Sequence, residues 1–412
     1  MDKQVNTDYD IIIAGGGMIG TSLGLALAPL NLRIAIVESV ARSSQKQPSF
    51  DDRSTALSRS SQRMYEAMGL WPDIIATATP IEKIHISDKG RFGFSHIEAE
   101  EQKVEALGYV VINRVLGGVL QGKLPEFPNL NVICPGVVTA VTLADSHAAV
   151  LITVDGDQRQ LTCSLLVAAD GANSNVREMM GISAKNIDYK QSAIIGNLLP
   201  EKAHKNCAFE CFTENGPLAM LPLADNRAAF VWINSTSKTD ELLDLPSKEF
   251  KFQLQAVFGN RLGQFSKVGK RCAYPLAFTR ACGLISQRSV VVGNAANGLH
   301  PVAAQGFNLG LRDVAALCDC IADSCIRRQQ DFGRASILEA YADWRKEDQT
   351  NLVHFTNGIV QLFGDQRPSI RVLRNIGMIG FDLVPGVRKL FAKHTMGLAG
   401  LLPRLSRGVP LE

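Results

Sequence analysis

The chain has 412 residues, 46% hydrophobic and 20% charged, enough to bury a large core in two or three domains. Its 43 basic and 40 acidic residues leave a formal charge of +3, which argues against a general nucleic-acid binder. Nine cysteines without a C-x-x-C pair make a zinc site or a disulfide framework a poor reading and free thiols in a reducing cytoplasm the plain one.

In chain order, the opening MDKQVNTDYD carries three Asp against one Lys, unlike the basic start of a secretory leader. Residues 11–32 are uncharged and long enough for a membrane span. Gly15, Gly16, Gly17, Gly20, Gly24, Pro29 and Asn31 fit a strand, a tight turn and a helix of a soluble chain better. The expectation is strand Asp10 to Ala14, helix Met18 to Ala28 and strand Arg33 to Glu38, a βαβ unit. Two later apolar runs, SLLVAAD (164–170) and RSVVVGN (288–294), each end in a loop before a helix. Together the three predict one mainly parallel sheet built from distant pieces. Between 190 and 235, QSAIIGNLL, KNCAFECFT, GPLAMLPL and RAAFVWIN are short runs split by turn residues, as in an antiparallel sheet. A helix is expected from Leu309 to Ile321, and the chain after Asp343 reads as helical to its end.

The class is therefore α/β: a Rossmann-like domain from residues 1–78, 103–189 and 272–345, an antiparallel-sheet domain from 79–102 and 190–271, and a helical C-terminal segment, 346–412. Residues 366–412 set Arg367, Arg371, Arg374, Arg388, Lys389, Lys393, Arg404 and Arg407 against Asp382 and Glu412, with apolar residues between. That tail reads evenly as a packed helix with a solvated basic face or as a surface for an anionic membrane.

Three motifs carry chemistry. Gly15-Gly16-Gly17-Met18-Ile19-Gly20 is G-x-G-x-x-G after a strand and at a helix start. Gly15 permits the turn, Gly17 lets backbone approach a pyrophosphate, and Gly20 lets helix and strand pack closely. Glu38 ends the second strand 23 residues later, where a carboxylate accepts from ribose hydroxyls and repels a 2′-phosphate. Asp170-Gly171-Ala172-Asn173-Ser174-Asn175-Val176-Arg177 reads, taken alone, as a turn with an N-capping serine. Third is GNAANGLHPVAAQGFNLGLRD, residues 293–313, a glycine- and proline-rich stretch before a helix. Backbone so bare makes room for something bound close to it.

Together, in this order and spacing, the motifs resemble the single-component flavin-dependent aromatic hydroxylases. Asp52-Arg53-Ser54-Thr55-Ala56-Leu57 and the R-x-L-x-x-x-L run from Arg114 to Leu120, close to the family's R-x-x-L-x-x-x-L, add to the likeness, which covers essentially the whole chain. Within that family FDDRSTALS, HISDKGRFGF and KRCAYPLAFTRA point to the hydroxylases of ubiquinone biosynthesis. The resemblance implies bound FAD and a transient NAD(P)H reductant, in line with a single dinucleotide fingerprint. It implies hydroxylation of a polyprenyl phenol of the 2-polyprenyl-6-methoxyphenol type by O2 through a C4a-hydroperoxyflavin. It also implies a cytoplasmic enzyme, with the tail at the inner face of the membrane on one reading, and a place in a ubiquinone-biosynthesis complex. The antiparallel domain becomes the substrate domain.

Carried over residue by residue, the cofactor set is Gly15, Gly17, Met18, Ile19, Gly20, Glu38, Arg53, Arg114, Asp170, Gly171, Gly293, Asn294, Pro301, Gly306, Phe307 and Asn308. Gly293-Asn294 should follow the ribityl chain, Pro301 should fix the loop beside the flavin ring, and Gly306-Phe307-Asn308 should start a helix aimed at its N1/O2 edge. Asn294 stands where the general motif has Asp; its amide oxygen accepts the same hydrogen bond without charge. Ala304 replaces a residue that is usually Gly. Arg53, Pro301 and His300 are the catalytic candidates. For Arg53 the alternative is a helix-cap salt bridge, and for His300 a loop histidine bonded to backbone. His85 stays below a catalytic assignment, and Trp232 reads as core. Two other functions remain open: an isoprenoid reductase or epoxidase of the same fold, and a non-catalytic FAD-bearing subunit.

Overall fold

A computed structural model describes residues 7–41, 53–89, 93–298, 305–327, 331–364, 367, 377 and 384–411. The apolar runs found in the sequence become neighbours. Strand Tyr9–Ala14 lies between Ile34–Val37 and Asp157–Ala168, and Ser289–Val291 follows on the far side of the latter, all four parallel. Leu130–Ile133 extends the sheet beyond Ile34–Val37, and Val137–Leu143 with Ala148–Val154 form an antiparallel extension. Ile11, Ile12 and Ile13 are fully buried, because a strand covered on both faces alternates nothing. Helix Met18–Leu27 and helix Gln305–Ile326 cover one face; the second is 22 residues long and begins four residues before the Leu309 at which the periodic pattern starts.

Among the described residues the second sheet has nine strands. It runs from Asn297–Gly298 through Cys272–Ala281, Ala184–Pro200, Ala228–Ser235, Leu218–Pro222, Cys207–Phe212 and Lys83–Asp88 to Phe94–Glu98, with Phe265–Val268 beside Ala184–Pro200. Its pairings are antiparallel except Cys207–Phe212 against Lys83–Asp88, which are parallel because two separate insertions meet there. Strand pairing divides the chain differently from the limits expected at 190 and 271: Ala184–Pro200 and Cys272–Ala281 share ten register pairs, and both belong to this sheet. Thr79–Ile81 instead joins Ser54–Ser58 and Gly108–Ile112 in a small third sheet.

One face of the large sheet is sealed. Ile194, Leu218, Met220, Phe230 and Trp232 pack on Phe250, Leu254 and Phe258 of helix Ser247–Phe258. Trp232 is core, as read from sequence. On the other face Ala208, Leu221, Leu223 and Ala229 meet Ala56, Ile81 and Val110, so this side is turned toward the small sheet and the parallel-sheet region.

The C-terminal expectation needs correction. Helices Ala335–Gly364 and Pro385–Thr395 are present, but the stretch after Thr395 is turns with one short 3-10 segment, Leu405–Arg407. Pro403, Gly408 and Pro410 prevent a continuous helix there. The end is also stitched to the body. Ala392 and Met396 pack with Ile97 and Leu107, Leu405 and Leu411 enter the main core, and the Arg404 N–H donates to Asp319 at 3.0 Å.

Candidate active site

The parallel register aligns the strand ends: Ala14 sits opposite both Val37 and Ala168, and Ala168 opposite Val291. Residues far apart in sequence, Gly15, Glu38, Asp170 and Gly293, therefore follow one C-terminal sheet edge. Open α/β sheets bind ligands at that edge.

The first turn is built by exclusion. Gly15 has φ +107°, and a Cβ there would lie 2.5 Å from the Ala169 carbonyl oxygen. A Cβ on Gly20 would overlap the Gly15 oxygen. Gly17 is the N-cap of helix Met18–Leu27 and supplies no side chain to satisfy the first N–H groups, which stay available at the positive end of the helix. Met18 and Ile19 occupy its first turn. Glu38 reaches under it: the N–H of Gly16 donates to Oε2 and that of Val40 to Oε1, both at 2.7 Å. A carboxylate has about four acceptor positions, so this engagement leaves capacity for hydroxyl donors.

At the second motif the Ser174 hydroxyl donates to Asp170 Oδ1, and the Val176 N–H donates to Oδ2 at 3.1 Å. Ser174 Oγ accepts from the Arg177 N–H at 2.9 Å, the N-cap read from sequence. Gly171 has φ +92° with open space where its Cβ would stand. Arg177, buried, donates to the carbonyls of Ala172 and Ala295, both at 3.1 Å, and so fastens the second motif to the third.

The third motif is held from behind. Gly293, φ +63°, donates its N–H to Asp313 Oδ2 at 3.1 Å, and a Cβ there would press on Ile19 at 3.0 Å. Fully buried Asp313 also accepts from Arg345 at 2.7 Å and from Gln349 at 3.0 Å. Burial raises the Asp313 carboxyl, opposed by the Arg345 charge. Sequence reading had Asp313 as the last letter of a motif; its anchoring of Gly293 is a tertiary fact. Asn294 is exposed at the edge. Asn297, buried, has neither amide atom hydrogen-bonded among the described residues. Gly306 and Phe307 lie in the first turn of helix Gln305–Ile326. The Asn308 amide is engaged inside the protein: Oδ1 accepts from the Ser58 N–H (2.9 Å) and the Ser61 hydroxyl (2.7 Å), and Nδ2 donates to Ala56 O (2.9 Å). His300, Pro301 and Ala304 lie outside the described residues.

Arg53 stands between the two regions. Its carbonyl accepts from the Asn113 N–H at 2.8 Å, and its guanidinium lies 4.6 Å from the ring centre of Tyr274 on the second sheet. Arg114 is exposed on the first turn of helix Asn113–Lys123. The same helix sends Gln121 Nε2 to the Gly16 carbonyl at 3.3 Å.

The side of the second sheet that meets the small sheet carries a row that sequence reading did not single out. Register aligns Ile195, Val231, Ala219, Glu210 and Ile86 across five strands, every one half-buried. The single acid in the otherwise apolar run CAFECF was the available signal. His85 is one residue off this row and so points to the other face, where its Nδ1 lies 2.7 Å from His96 Nε2 and burial pushes it down to about 4. The glycine cradle thus lies at the C-terminal edge of the parallel sheet, and the half-buried row lies on the face of the large sheet that meets the small sheet and Arg53.

A family described as FAD binding domain matches residues 8–356. Ubiquinone hydroxylase UbiL of Rhodospirillum rubrum is 33% identical over 406 residues, 98% of this chain and 93% of that protein. The 3-demethoxyubiquinol 3-hydroxylase of Escherichia coli is 28% identical, covering 96% and 100%. Among solved structures, p-nitrophenol 4-monooxygenase PnpA of Pseudomonas putida DLL-E4 superposes with a TM-score of 0.78 at 16% identity, over 95% of this chain and 98% of that one, a likeness of fold. The glycine cradle and the helix N-terminus behind it fit a dinucleotide, and the chain belongs to the FAD-binding family of monooxygenases and hydroxylases.

Proposed function

We propose that the protein hydroxylates the aromatic ring of a polyprenyl phenol in ubiquinone biosynthesis, taking electrons from NAD(P)H and the oxygen atom from O2. The observation that carries this reading is a dinucleotide cradle in the same chain as a half-buried, mostly apolar sheet face, with relatives named ubiquinone hydroxylase and 3-demethoxyubiquinol 3-hydroxylase. When bound, FAD supplies hydride acceptance and oxygen activation.

The chain's own residues do the rest. Gly15, Gly17, Met18, Ile19 and Gly20 receive the pyrophosphate at the helix N-terminus, and Glu38 takes ribose hydroxyls on its free lone pairs. Asp170 and Gly171 follow one strand and Gly293 and Asn294 the strand beside it, where these residues would hold the ribityl chain. Gly306 and Phe307, at the start of a 22-residue helix, offer N–H donors to the electron-rich edge of the ring. Arg53 and Arg114 supply positive charge for the cofactor's or the reductant's phosphates. The half-buried apolar row excludes water and receives the prenylated ring. The parallel-sheet residues thus act as the cofactor domain and the large sheet as the substrate domain.

We further propose that the C-terminal region touches a membrane surface. Among the described residues no helix is long and apolar enough to cross one. Helix Pro385–Thr395, its N-cap and the turns after it nonetheless expose Val384, Val387, Leu390 and Leu401 beside Lys389 and Lys393. Apolar residues flanked by lysine suit an anionic interface, each cation contributing about 1 kcal/mol. Because this region is packed into the core, point variants are the right test: L390D with K389E should abolish flotation with anionic vesicles and leave FAD content unchanged. Undiminished flotation rejects the membrane contact.

For the main reading, the purified yellow protein is given NADPH, a short-prenyl 6-methoxyphenol and ¹⁸O₂. One ¹⁸O atom in the product ring, seen by mass spectrometry, is the expected result. Reductant consumed with only peroxide formed rejects this substrate class.

A further inference from the structure

We propose that Glu210 is the catalytic base that takes the proton of the substrate's phenol hydroxyl, an assignment that rests on the aromatic-hydroxylase reading above. Three observations lead to it.

First comes position. Glu210 pairs with Ala219 on one side and Ile86 on the other. Residues directly opposite in a sheet share a face. That face also carries Ala208 and Ala229, which meet Ala56 and Val110 of the small sheet, and Tyr274, which meets Arg53. Glu210 is therefore on the face turned toward the small sheet and Arg53, a residue that the proposed reading assigns to cofactor or reductant.

Second comes its surroundings. In the row Ile195, Val231, Ala219, Glu210, Ile86 it is the one group able to accept a proton, and Ala219 leaves volume beside it. Every residue of the row keeps some accessible surface although the face is turned inward, as expected of the wall of a binding space. Among the described residues nothing is hydrogen-bonded to the Glu210 carboxylate.

Third comes its acidity. Burial alone lifts the carboxyl to about 7, which places the switch between acid and base at neutral pH. The charged groups of the surrounding elements do not offset this. Asp88, two residues along the neighbouring strand from Ile86, is on the same face, and Arg53 lies beyond Tyr274. His85, Lys83 and Arg261 act on one another on the far side, where Arg261 contributes to lowering His85. An acid left unpaired on an apolar wall costs stability, which a proton-transfer role explains and a structural role does not.

The step balances without further reagents. The phenol O–H bond breaks, the proton moves to a Glu210 oxygen, and the electron pair stays on the phenolate. Its charge spreads to the ring carbons ortho and para, where the incoming oxygen atom bonds. The hydrogen displaced from that carbon leaves as a proton when the ring regains aromaticity. Glu210 returns its own proton to water before the next turnover. The oxygen comes from O2 and the electrons from NAD(P)H, as in the proposed reaction.

The test compares wild type and E210Q as holoenzymes, with a short-prenyl 6-methoxyphenol and a ring-fluorinated analogue whose hydroxyl is already ionised at neutral pH. With the parent phenol, E210Q should lose about 100-fold or more in kcat, the usual worth of a general base. With the fluorinated phenol the loss should shrink to about tenfold or less, because no proton remains to be taken. Wild-type kcat/KM for the parent should show an acid limb centred at about 7, absent from E210Q. Flavin reduction by NADPH should be unchanged in both. An equal loss with both phenols, or a variant retaining wild-type rates on the parent, overturns the assignment. The wild-type pH profile with the two phenols decides the matter independently should E210Q fail to fold: no acid limb, or the same limb for both, also overturns it. A wild type that reduces its flavin yet labels no prenyl phenol removes the hydroxylase reading itself.

Discussion

The C-terminal edge of the parallel sheet and the inward face of the large sheet are built on opposite principles. At the edge, backbone does the work and side chains are excluded: Gly15, Gly20 and Gly293 each sit where a Cβ would press on a neighbour. On the large sheet, backbone is regular and side chains do the work, with a half-buried apolar row around one carboxylate. The edge is over-determined and intolerant, because close packing leaves nothing to yield. The row on the face keeps accessible surface and should tolerate exchange.

The largest effect should come from behind the cradle. Asp313→Ala leaves buried Arg345 short of a partner and Gly293 without its acceptor, and should cost about 3–5 kcal/mol, with FAD lost on gel filtration. Urea unfolding measures the cost; a variant that stays yellow with an unchanged midpoint would show the edge to be less rigid than described. Gly20→Ala forces helix and turn apart and should cost about 3 kcal/mol, at the top of the usual overpacking range, again with reduced flavin content.

On the face, the expected sign reverses. The Glu210 carboxyl holds its proton up to about 7 in the folded chain but releases it near its ordinary 4.5 when unfolded. The folded state thus binds more protons in that window, and stability falls as pH rises through it. E210Q should match wild type near pH 4.5 and exceed it by on the order of 2–3 kcal/mol at pH 8, read from denaturation midpoints at the two pH values. A constant difference across pH would show an ordinary carboxyl. The smallest effect sharpens the contrast within one strand. Val231→Ala, on the half-open face, should cost less than about 1 kcal/mol, whereas its neighbour Trp232→Ala, on the sealed face, should cost about 3–5 kcal/mol. Comparable losses would mean that the two faces are packed alike.

Much of this was legible in the chain. Continuous apolar runs marked IIIA, LLVA and VVV as doubly covered strands, and glycine spacing marked the turn between Ala14 and Met18. Ser174 was read as a cap and observed as one. Each depends on a few consecutive residues whose period or conformational freedom acts locally.

Other features were not local. The helical reading of the C-terminal end ignored Pro403, Gly408 and Pro410, and the parallel seam of Cys207–Phe212 with Lys83–Asp88 joins insertions more than a hundred residues apart. Nothing near Asp313 in sequence announces Arg345 or Gly293, and nothing near Glu210 says which face of its strand turns inward. By itself the sequence determined where strands, turns and caps form and that a dinucleotide cradle exists. Tertiary structure alone decided which carboxylate is neutralised by a buried arginine and which is left unpaired on an apolar wall. Burial and partnership are properties of approach between distant segments, and they set the free energy of a charge.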